Sequence, residues 1–377
     1  MNKFVQVVSI PYYGNHGMRP KTDCIALVSN VAAKNDFQSI IYAIDKIHFN
    51  LKTDKKRNNL EPNVEVYNFN TLFKLFKNLW LSKPDVVFGN GRTSAGFMTA
   101  FFGKYRIFMS HQSMNPPIWW QKAIFKFFIR KFDAIKVANP YEVEQLVEIG
   151  VERKRIFYIP IPIDHEFFSR VPSQNEIAKV KKKIGLKPNE KFILSVSHIR
   201  SQKRAYTAIK ALQLLRKKYP ELKLVYTGKD MMFEEGLPSV TDKAKEIGIK
   251  GSVIVTGRLP EADLVSLMHS AEVGIISSAR EGQCLTAYEK AAAGLPLCLS
   301  NIGSFTSVFN GSALFHEPED HHALASDVEA YLENSEMKNR FTKINVDKVI
   351  VLTDYDMIWK KMENLFLKQR KKLQRRK

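Results

Sequence analysis

The chain has 377 residues, of which 45% are hydrophobic and 25% charged, a composition typical of a soluble globular protein with roughly two or three domains. Its uncharged apolar stretches are shorter than the ~18 residues of a membrane helix, and its first residues do not form a secretory signal pattern. The three cysteines have no metal-ligand spacing, which favours reduced thiols and a cytoplasmic protein.

The charge balance is less ordinary. The chain carries 58 Lys and Arg against 38 Asp and Glu, a net charge of +20. An excess of this size indicates an anionic partner, which could be a nucleic acid, a phosphorylated substrate or an anionic lipid.

In chain order, the first half alternates β-branched runs with helical patterns. Strands are predicted at 3–10, 39–45, 84–90, 106–112, 134–139 and 156–161. Helices are predicted at 24–35, 71–82, 119–132 and 141–150. Such alternation is typical of a parallel sheet built from βαβ units.

Two prolines, Pro160 and Pro162, then interrupt both kinds of element, and the alternation restarts after a charged helix at 175–184. Strands are predicted at 191–198, 222–229, 252–258, 273–279 and 296–301, and helices at 205–220, 241–249, 261–271 and 284–293. The sequence therefore predicts two α/β halves that meet near residue 165.

Two glutamates, Glu281 and Glu289, stand eight positions apart around the start of the helix at 284–293. Glu281 falls in the loop after a parallel strand, where open α/β sheets bind ligands. The N–H groups at this helix start favour an anionic ligand, and Glu289 lies on the same helix side as Leu285. Taken alone, the spacing also fits an N-terminal cap and an exposed glutamate.

The segment SSAREGQCLTAYEKAAAGLPLCLS, residues 277–300, resembles the E-x7-E signature of the retaining family 4 glycosyltransferases with the GT-B fold. The segments LSVSHIRSQK and GVERKRIFYIPIPIDHEFF resemble other parts of that family. The resemblance implies two Rossmann-like parallel-sheet domains that face each other across a cleft, with a C-terminal helix returning toward the first. We expect an acceptor-side domain at 1–165, a nucleotide-sugar domain at 166–350, and a helix with a basic tail at 351–377.

The resemblance also implies transfer of a sugar, with retention, from a nucleoside-diphosphate sugar to an acceptor such as a lipid-linked molecule or a glycan precursor. Glu289 would bind the ribose of the donor, and Glu281 would bind its sugar. Lys203 and the helix start would bind the diphosphate. The implied catalytic residues are Glu281, His111 and Lys203. The implied donor-binding residues are Glu289, Gly282, Gln283, Cys284, Leu285, Thr286, His198 and Arg258. The implied acceptor-side loop contains Gly14, Asn15 and Gly17. We expect neither metal nor cofactor, because no D-x-D pair lies at a predicted strand end and the helix dipole can stabilise the leaving group.

Three positions depart from the family pattern. Ser197 and His198 replace the Gly-Arg pair before Lys203, and a mostly neutral histidine binds phosphate less well than arginine. Cys284 replaces a glycine at the helix start, and 161–163 replace a flexible N-G-V.

The predicted helix at 119–132 has a basic stripe, Lys122, Lys126 and Arg130, among aromatic residues that include Trp119 and Trp120. This pattern fits a helix on an anionic membrane surface, and it fits equally a domain helix with an aromatic core face. With the basic tail from Lys368 to Lys377, it favours a lipid-linked or membrane-bound acceptor and a cytoplasmic protein that can bind the inner face of the membrane, with a soluble anionic acceptor as the alternative.

Three other functions remain open. A nucleic-acid-binding protein fits the charge, but no RRM, KH or zinc pattern is present, so we do not expect nucleic acid. A nucleotide-sugar epimerase could share the fold, although the E-x7-E segment disfavours it. A catalytically weak scaffold fits His198 and Cys284, and would bind nucleotide without turnover.

Overall fold

The computed structural model describes residues 2–9, 23–44, 60–91, 94–109 and 119–374. The chain forms two compact units. The first contains Met1–Asp164 and Thr353–Lys377, and the second contains His165–Leu352.

The described residues of the first unit include a parallel sheet of seven strands in the order β3-β2-β1-β4-β5-β6-β7. The strands are β1 (Asn2–Ser9), β2 (Phe37–Ile44), β3 (Glu65–Phe69), β4 (Val86–Asn90), β5 (Tyr105–Met109), β6 (Ala134–Val137) and β7 (Ile156–Tyr158). The helices before residue 164 in the described part are α1 (Cys24–Lys34), α2 (Leu72–Ser82), α3 (Ser94–Met98), α4 (Trp119–Ile129) and α5 (Pro140–Glu148).

The helices lie on two faces of this sheet, as the alternation of side chains along the strands shows. On β1, Phe4 belongs to a buried cluster with Leu27 of α1. The next residue, Val5, belongs to a different cluster with Leu75 of α2. On β5, Phe108 likewise joins Phe125 of α4, away from the face that α1 covers. Therefore α1 covers one face, and α2 and α4 cover the other.

Helix starts in this unit follow ordinary capping rules. Asp23 caps α1 by accepting hydrogen bonds from the N–H groups of Ile25 and Ala26, at 3.1 Å each. Asn139 and Glu142 form a capping box at α5, with Pro140 in the first turn. These local signals explain why both helices were predictable from the sequence.

The sequence analysis did not predict β3 or α3. β3 is the edge strand of the sheet, and its alternating sequence E-V-Y-N-F exposes 45% of Tyr67. Because an edge strand needs few apolar residues, it gives a weak pattern. The helix α3 has five residues, too few for a visible period.

The second unit has a parallel sheet of six strands within the described residues, in the order β10-β9-β8-β11-β12-β13. The strands are β8 (Phe192–Val196), β9 (Lys223–Thr227), β10 (Val253–Val255), β11 (Val273–Ile276), β12 (Leu297–Ser300) and β13 (Leu314–His316). The helices are α6 (His165–Ser169), α7 (Gln174–Lys183), α8 (Ala205–Leu215), α9 (Val240–Glu246), α10 (Glu261–Ser270), α11 (Leu285–Ala292), α12 (Gly303–Phe309), α13 (His321–Glu333) and α14 (Ser335–Thr353).

The chain then continues into α15 (Tyr355–Gln374), which belongs to the first unit. Phe366 of α15 packs edge-on against Phe4, with ring centroids 5.1 Å apart, so α15 lies on the same sheet face as α1. The predicted return of the C-terminal helix to the first domain is confirmed. The D-x-D sequence at Asp354–Asp356 lies at the start of this helix, where Asp354 accepts a hydrogen bond from the N–H of Met357.

Within the described ranges, the structure contains no helix that is both long and apolar enough to cross a membrane.

Each unit contains a fully buried lysine. Lys136 lies on strand β6 of the first sheet, and Lys290 lies on helix α11, which packs on the second sheet. Burial lowers the pKa of both to about 8. The ammonium of Lys290 donates a hydrogen bond to the carbonyl of Ile275 at 3.0 Å, which ties α11 to β11. A lysine with a lowered folded-state pKa binds its proton more tightly in the unfolded chain, so stability should rise with pH between about 8 and the ordinary lysine pKa of 10.5.

We therefore predict that Lys290→Met removes part of this pH dependence. Relative to wild type, the variant should gain stability at pH 7, and the gain should shrink as pH rises through 8, by roughly 1.4 kcal/mol per pH unit at most. Urea unfolding from pH 7 upward measures this. The matched control, Lys217→Met at an exposed position on the same unit, should follow wild type. Identical pH profiles for Lys290→Met and wild type would contradict the prediction.

Candidate functional site

Two loops of the second unit meet at the carboxyl edge of its sheet. One follows β8 and the other follows β11, and these strands are neighbours, with Ile193 paired to Val273. From β8 the chain first adds β9 and β10 on one side, and only then adds β11 on the other. The two loops therefore begin side by side and lead to opposite sides of the sheet, at the point where the strand order reverses. This is where open parallel sheets bind ligands.

The loops are joined by three hydrogen bonds from consecutive residues. The carbonyl of Gln202 accepts from the N–H of Ala279 at 2.9 Å, and its side-chain amide donates to the carbonyl of Arg280 at 2.8 Å. The ammonium of Lys203 then donates to the Glu281 carboxylate at 2.5 Å. The structure thus brings together two of the predicted catalytic residues, 78 positions apart in the chain.

The Lys203–Glu281 pair is largely removed from solvent, with 26% and 10% of the side chains exposed. Burial alone would lower the pKa of Lys203, but the attraction of Glu281 and the hydrogen bond to it outweigh burial, and the pKa is raised. Lys203 is therefore charged at neutral pH.

The loop after β8 packs closely on the turn after β9. The N–H of Ser197 donates to the carbonyl of Thr227 at 3.0 Å. Gly228 has a φ of +135°, and a Cβ at this position would lie 2.1 Å from the carbonyl oxygen of Ser197. Only glycine fits here, so Gly228 positions the loop that carries Lys203.

The predicted site residue His198 is exposed in this loop. Two nearby arginines carry the positive charge that a neutral histidine lacks, but both contact carboxylates elsewhere. Arg200 lies 3.9 Å from the Glu235 carboxylate, and Arg204 forms an ion pair with Glu319 at 3.0 Å.

The start of α11 is formed by three further predicted residues, Cys284, Leu285 and Thr286. Cys284 is the N-cap residue, and it has a left-handed backbone with φ +38° and no side-chain cap bond. A non-glycine residue in this region costs about 1 kcal/mol or more, which fits a position where the family pattern has glycine. Burial raises the pKa of the Cys284 thiol to about 12, so it stays neutral and is a poor nucleophile.

The remaining predicted residues surround this helix start. Gly282 and Gln283 are buried between Glu281 and α11, and Glu289 is half-buried one turn along the helix from Leu285. Arg258 is exposed after the edge strand β10, with β9 between β10 and β8.

The predicted residues of the first domain, His111, Gly14, Asn15 and Gly17, lie outside the described residues. Conversely, the sequence analysis missed Gln202, Gly228 and Lys290. No sequence signal indicated Gln202 or Lys290, since their side chains bind backbone carbonyls, of Arg280 and Ile275 respectively, and a carbonyl leaves no residue pattern. Gly228 stands at a predicted strand end, which was a usable signal.

A profile of the glycosyl transferases group 1 family matches residues 176–346. This range contains both loops, α11 and every described site residue.

Curated relatives match parts of the chain. Mannosylfructose-phosphate synthase of Agrobacterium fabrum is 24% identical over 226 residues, which cover 58% of this chain and 49% of that protein. Alpha-monoglucosyldiacylglycerol synthase of Streptococcus pneumoniae is 28% identical over 178 residues, which cover 46% of this chain and 39% of that protein. The matched part therefore spans half or less of these relatives.

Among solved structures, Anabaena HepE in complex with UDP-glucose superposes with a TM-score of 0.77 at 14% identity, covering 97% of this chain and 99% of that one. This agreement over both units shows the fold. Residues 176–346 therefore match the group 1 glycosyltransferases, in agreement with the family that the sequence resembles, and the chain has the GT-B fold.

Proposed function

We propose that this protein transfers a sugar, with retention, from a nucleoside-diphosphate sugar to an acceptor hydroxyl. The observation that carries the proposal is the Lys203–Glu281 pair at 2.5 Å, which stands beside the start of α11 at the reversal point of the sheet.

The diphosphate of the donor binds at the start of α11. Lys203 supplies a fixed positive charge, and the first N–H groups of the helix, at Leu285 and Thr286, point out of a start that no side chain caps. As the bond to the sugar breaks, negative charge develops on the diphosphate, and these groups stabilise it.

Glu281 and Lys203 exchange partners when the donor binds. In the structure each neutralises the other. A diphosphate offers Lys203 more negative charge than one carboxylate does, and Glu281 is then released to accept hydrogen bonds from sugar hydroxyls. Glu289 accepts hydrogen bonds from the ribose hydroxyls in the same way.

The net reaction breaks the bond between the anomeric carbon and the diphosphate oxygen, and forms a bond from that carbon to the acceptor oxygen on the same face of the sugar. The acceptor loses its hydroxyl proton, and a nucleoside diphosphate leaves. From the family resemblance, His111 is proposed as a further catalytic residue, and Gly14, Asn15 and Gly17 as an acceptor-side loop.

We further propose a lipid-linked acceptor at the cytoplasmic face of a membrane, with a soluble glycan precursor as the alternative. Two observations support the lipid: the chain has a net charge of +20, and a similar relative is named alpha-monoglucosyldiacylglycerol synthase. The relative structure bound to UDP-glucose makes UDP-sugars the first donors to test.

A scaffold that binds nucleotide without turnover is the second candidate. It is favoured by the exposed His198 and by the strained Cys284 at the helix start. Hydrolysis or transfer of a bound UDP-sugar separates the two candidates, since the scaffold would do neither.

The two glutamates should separate binding from turnover. We expect Glu289→Gln to weaken UDP binding about 10- to 100-fold, because hydrogen bonds to a charged group contribute about 1.5–3 kcal/mol. Glu281→Gln should leave UDP binding unchanged or tighter, since Lys203 loses its competitor, while turnover falls at least about 100-fold. Calorimetric titration and a sugar-release assay measure these effects. Glu221→Gln, at an exposed position, serves as the control. Equal losses of UDP affinity in both variants would refute the assignment.

If Lys203 and the helix start stabilise the leaving group, no metal ion is needed for this role. We therefore predict that sugar transfer continues in excess EDTA. Lys203→Ala should lower turnover more than any chelator does. If EDTA abolishes activity and Mg²⁺ or Mn²⁺ restores it, this assignment of the diphosphate site is wrong.

Replacing Cys284 by glycine should open the helix start to the diphosphate and relieve the left-handed strain. We expect UDP affinity to rise several-fold, and stability to change by less than about 1 kcal/mol, since the loss of strain and the entropy of glycine offset each other. Cys284→Ser keeps the Cβ and should bind UDP like wild type. A glycine variant that binds no more tightly than the serine variant would contradict the prediction.

A further inference from the structure

The helix α2 exposes large apolar side chains that folding does not use. Phe73 is 77% exposed, Trp80 72% and Leu81 65%, although Leu75 and Leu79 of the same helix are fully buried. Phe73, Lys77 and Trp80 recur at helical spacing, so α2 has a second stripe, facing outward, of mixed aromatic and basic residues.

A second group of exposed apolar residues lies on α4 and on the turn at Thr99–Phe101. Phe101 is 51% exposed, Phe127 56% and Ile124 45%. The ammonium of Lys131 lies over the rings of Phe101 and Phe127, 5.4 and 4.7 Å from their centroids. Here too, cations and aromatic rings alternate on the outside.

These two groups belong to one continuous face. Phe76 of α2 stacks on Phe102 with ring centroids 5.6 Å apart, and the adjacent Phe101 packs edge-on against Phe128 of α4 at 5.8 Å. Both helices cover the same side of the sheet, opposite α1. We call this surface the aromatic-basic face: Phe73, Lys74, Lys77, Trp80, Leu81, Phe101, Ile124, Lys126, Phe127 and Lys131.

The face has almost no negative charge. Residues 71–132 contain ten Lys and Arg and a single carboxylate, Asp85. That carboxylate is already bound by the ammonium of Lys104 at 2.7 Å and by the backbone N–H of Lys3 at 2.9 Å. A partner that buries the exposed rings must therefore also supply negative charge.

We propose that the aromatic-basic face docks on an anionic lipid bilayer. Exposed Trp and Phe interleaved with Lys are the side chains that bind the headgroup region, where rings enter the acyl boundary and ammonium groups pair with anionic lipids. An extended apolar patch of this kind marks an interaction surface rather than an ordinary exposed residue. The proposal rests on the proposed function only in placing the acceptor in that bilayer.

The docking surface differs from the one expected from the sequence. Arg130, part of the predicted basic stripe, donates to the carbonyl of Ile149 at 3.1 Å and is partly occupied inside the unit. The helix α15, which leads into the basic tail, packs with α1 on the opposite side of the sheet. The side chains of Lys122, Trp119 and Trp120 lie outside those described.

Vesicle co-sedimentation of the full chain tests the proposal. Wild type should bind vesicles that contain phosphatidylglycerol, should bind pure phosphatidylcholine at least tenfold more weakly, and should lose affinity as salt shortens the Debye length below ~10 Å. Phe73→Ser with Trp80→Ser, and separately Lys74→Glu with Lys77→Glu, should each lower the bound fraction at least tenfold. Phe233→Ser is the matched control, since Phe233 is 87% exposed on the second unit.

The result of the vesicle experiment can be distinguished from a failure of the proposed donor chemistry. All variants change exposed residues, so their circular dichroism and their UDP affinity should match wild type, whatever the vesicles show. The proposal is overturned if wild type ignores anionic vesicles at low salt, or if both double variants bind like Phe233→Ser. It is also overturned if removing 368–377 abolishes binding while the double variants retain it, or if the face instead holds two copies together, as light scattering would show.

Discussion

The ion pair between Lys203 and Glu281 is the constraint on which the site depends. It joins loops from two neighbouring strands at the place where the strand order of the sheet reverses, and the two hydrogen bonds of Gln202 hold the same loops in register. The pair is largely removed from solvent, so a ligand that binds Lys203 must compete with Glu281. In the proposed function a diphosphate does so, because it carries more charge and more acceptor oxygens than one carboxylate.

Because of the departures from the family pattern, fewer charged side chains are available to bind the diphosphate in the proposed function. Arg200 and Arg204 are engaged by Glu235 and Glu319, and His198 is exposed. Lys203 is the cation that the described structure places against Glu281. In the proposed function, Lys203 and the backbone N–H groups of α11 therefore provide most of the charge compensation. Cys284 narrows that helix start, and its neutral thiol adds no charge of its own.

Much of this architecture could be predicted from the sequence because its signals are local. The alternation of strands and helices, the caps of α1 and α5, and the helix start near Glu281 depend on residues within a few positions of one another. The edge strand β3 and the short helix α3 have weak local patterns and were missed. Only the family resemblance implied that Lys203 and Glu281 belong to one site, and their ion pair was not predicted, since no periodicity relates side chains 78 positions apart. The bond from Lys290 to the carbonyl of Ile275 could not be predicted, because its acceptor belongs to the backbone.

The net charge of the chain is unevenly distributed over the fold. Residues 71–132 hold ten cations against one carboxylate, which is nearly half of the total excess of 20. A general role in solubility would spread these cations over both units and would not pair them with exposed Trp80, Phe73 and Phe127. Exposed rings are unfavourable in water, and neighbouring cations keep them from aggregating with other copies of the chain. The same cations attract a negatively charged surface that can bury the rings, so charge and apolar area on this face act together.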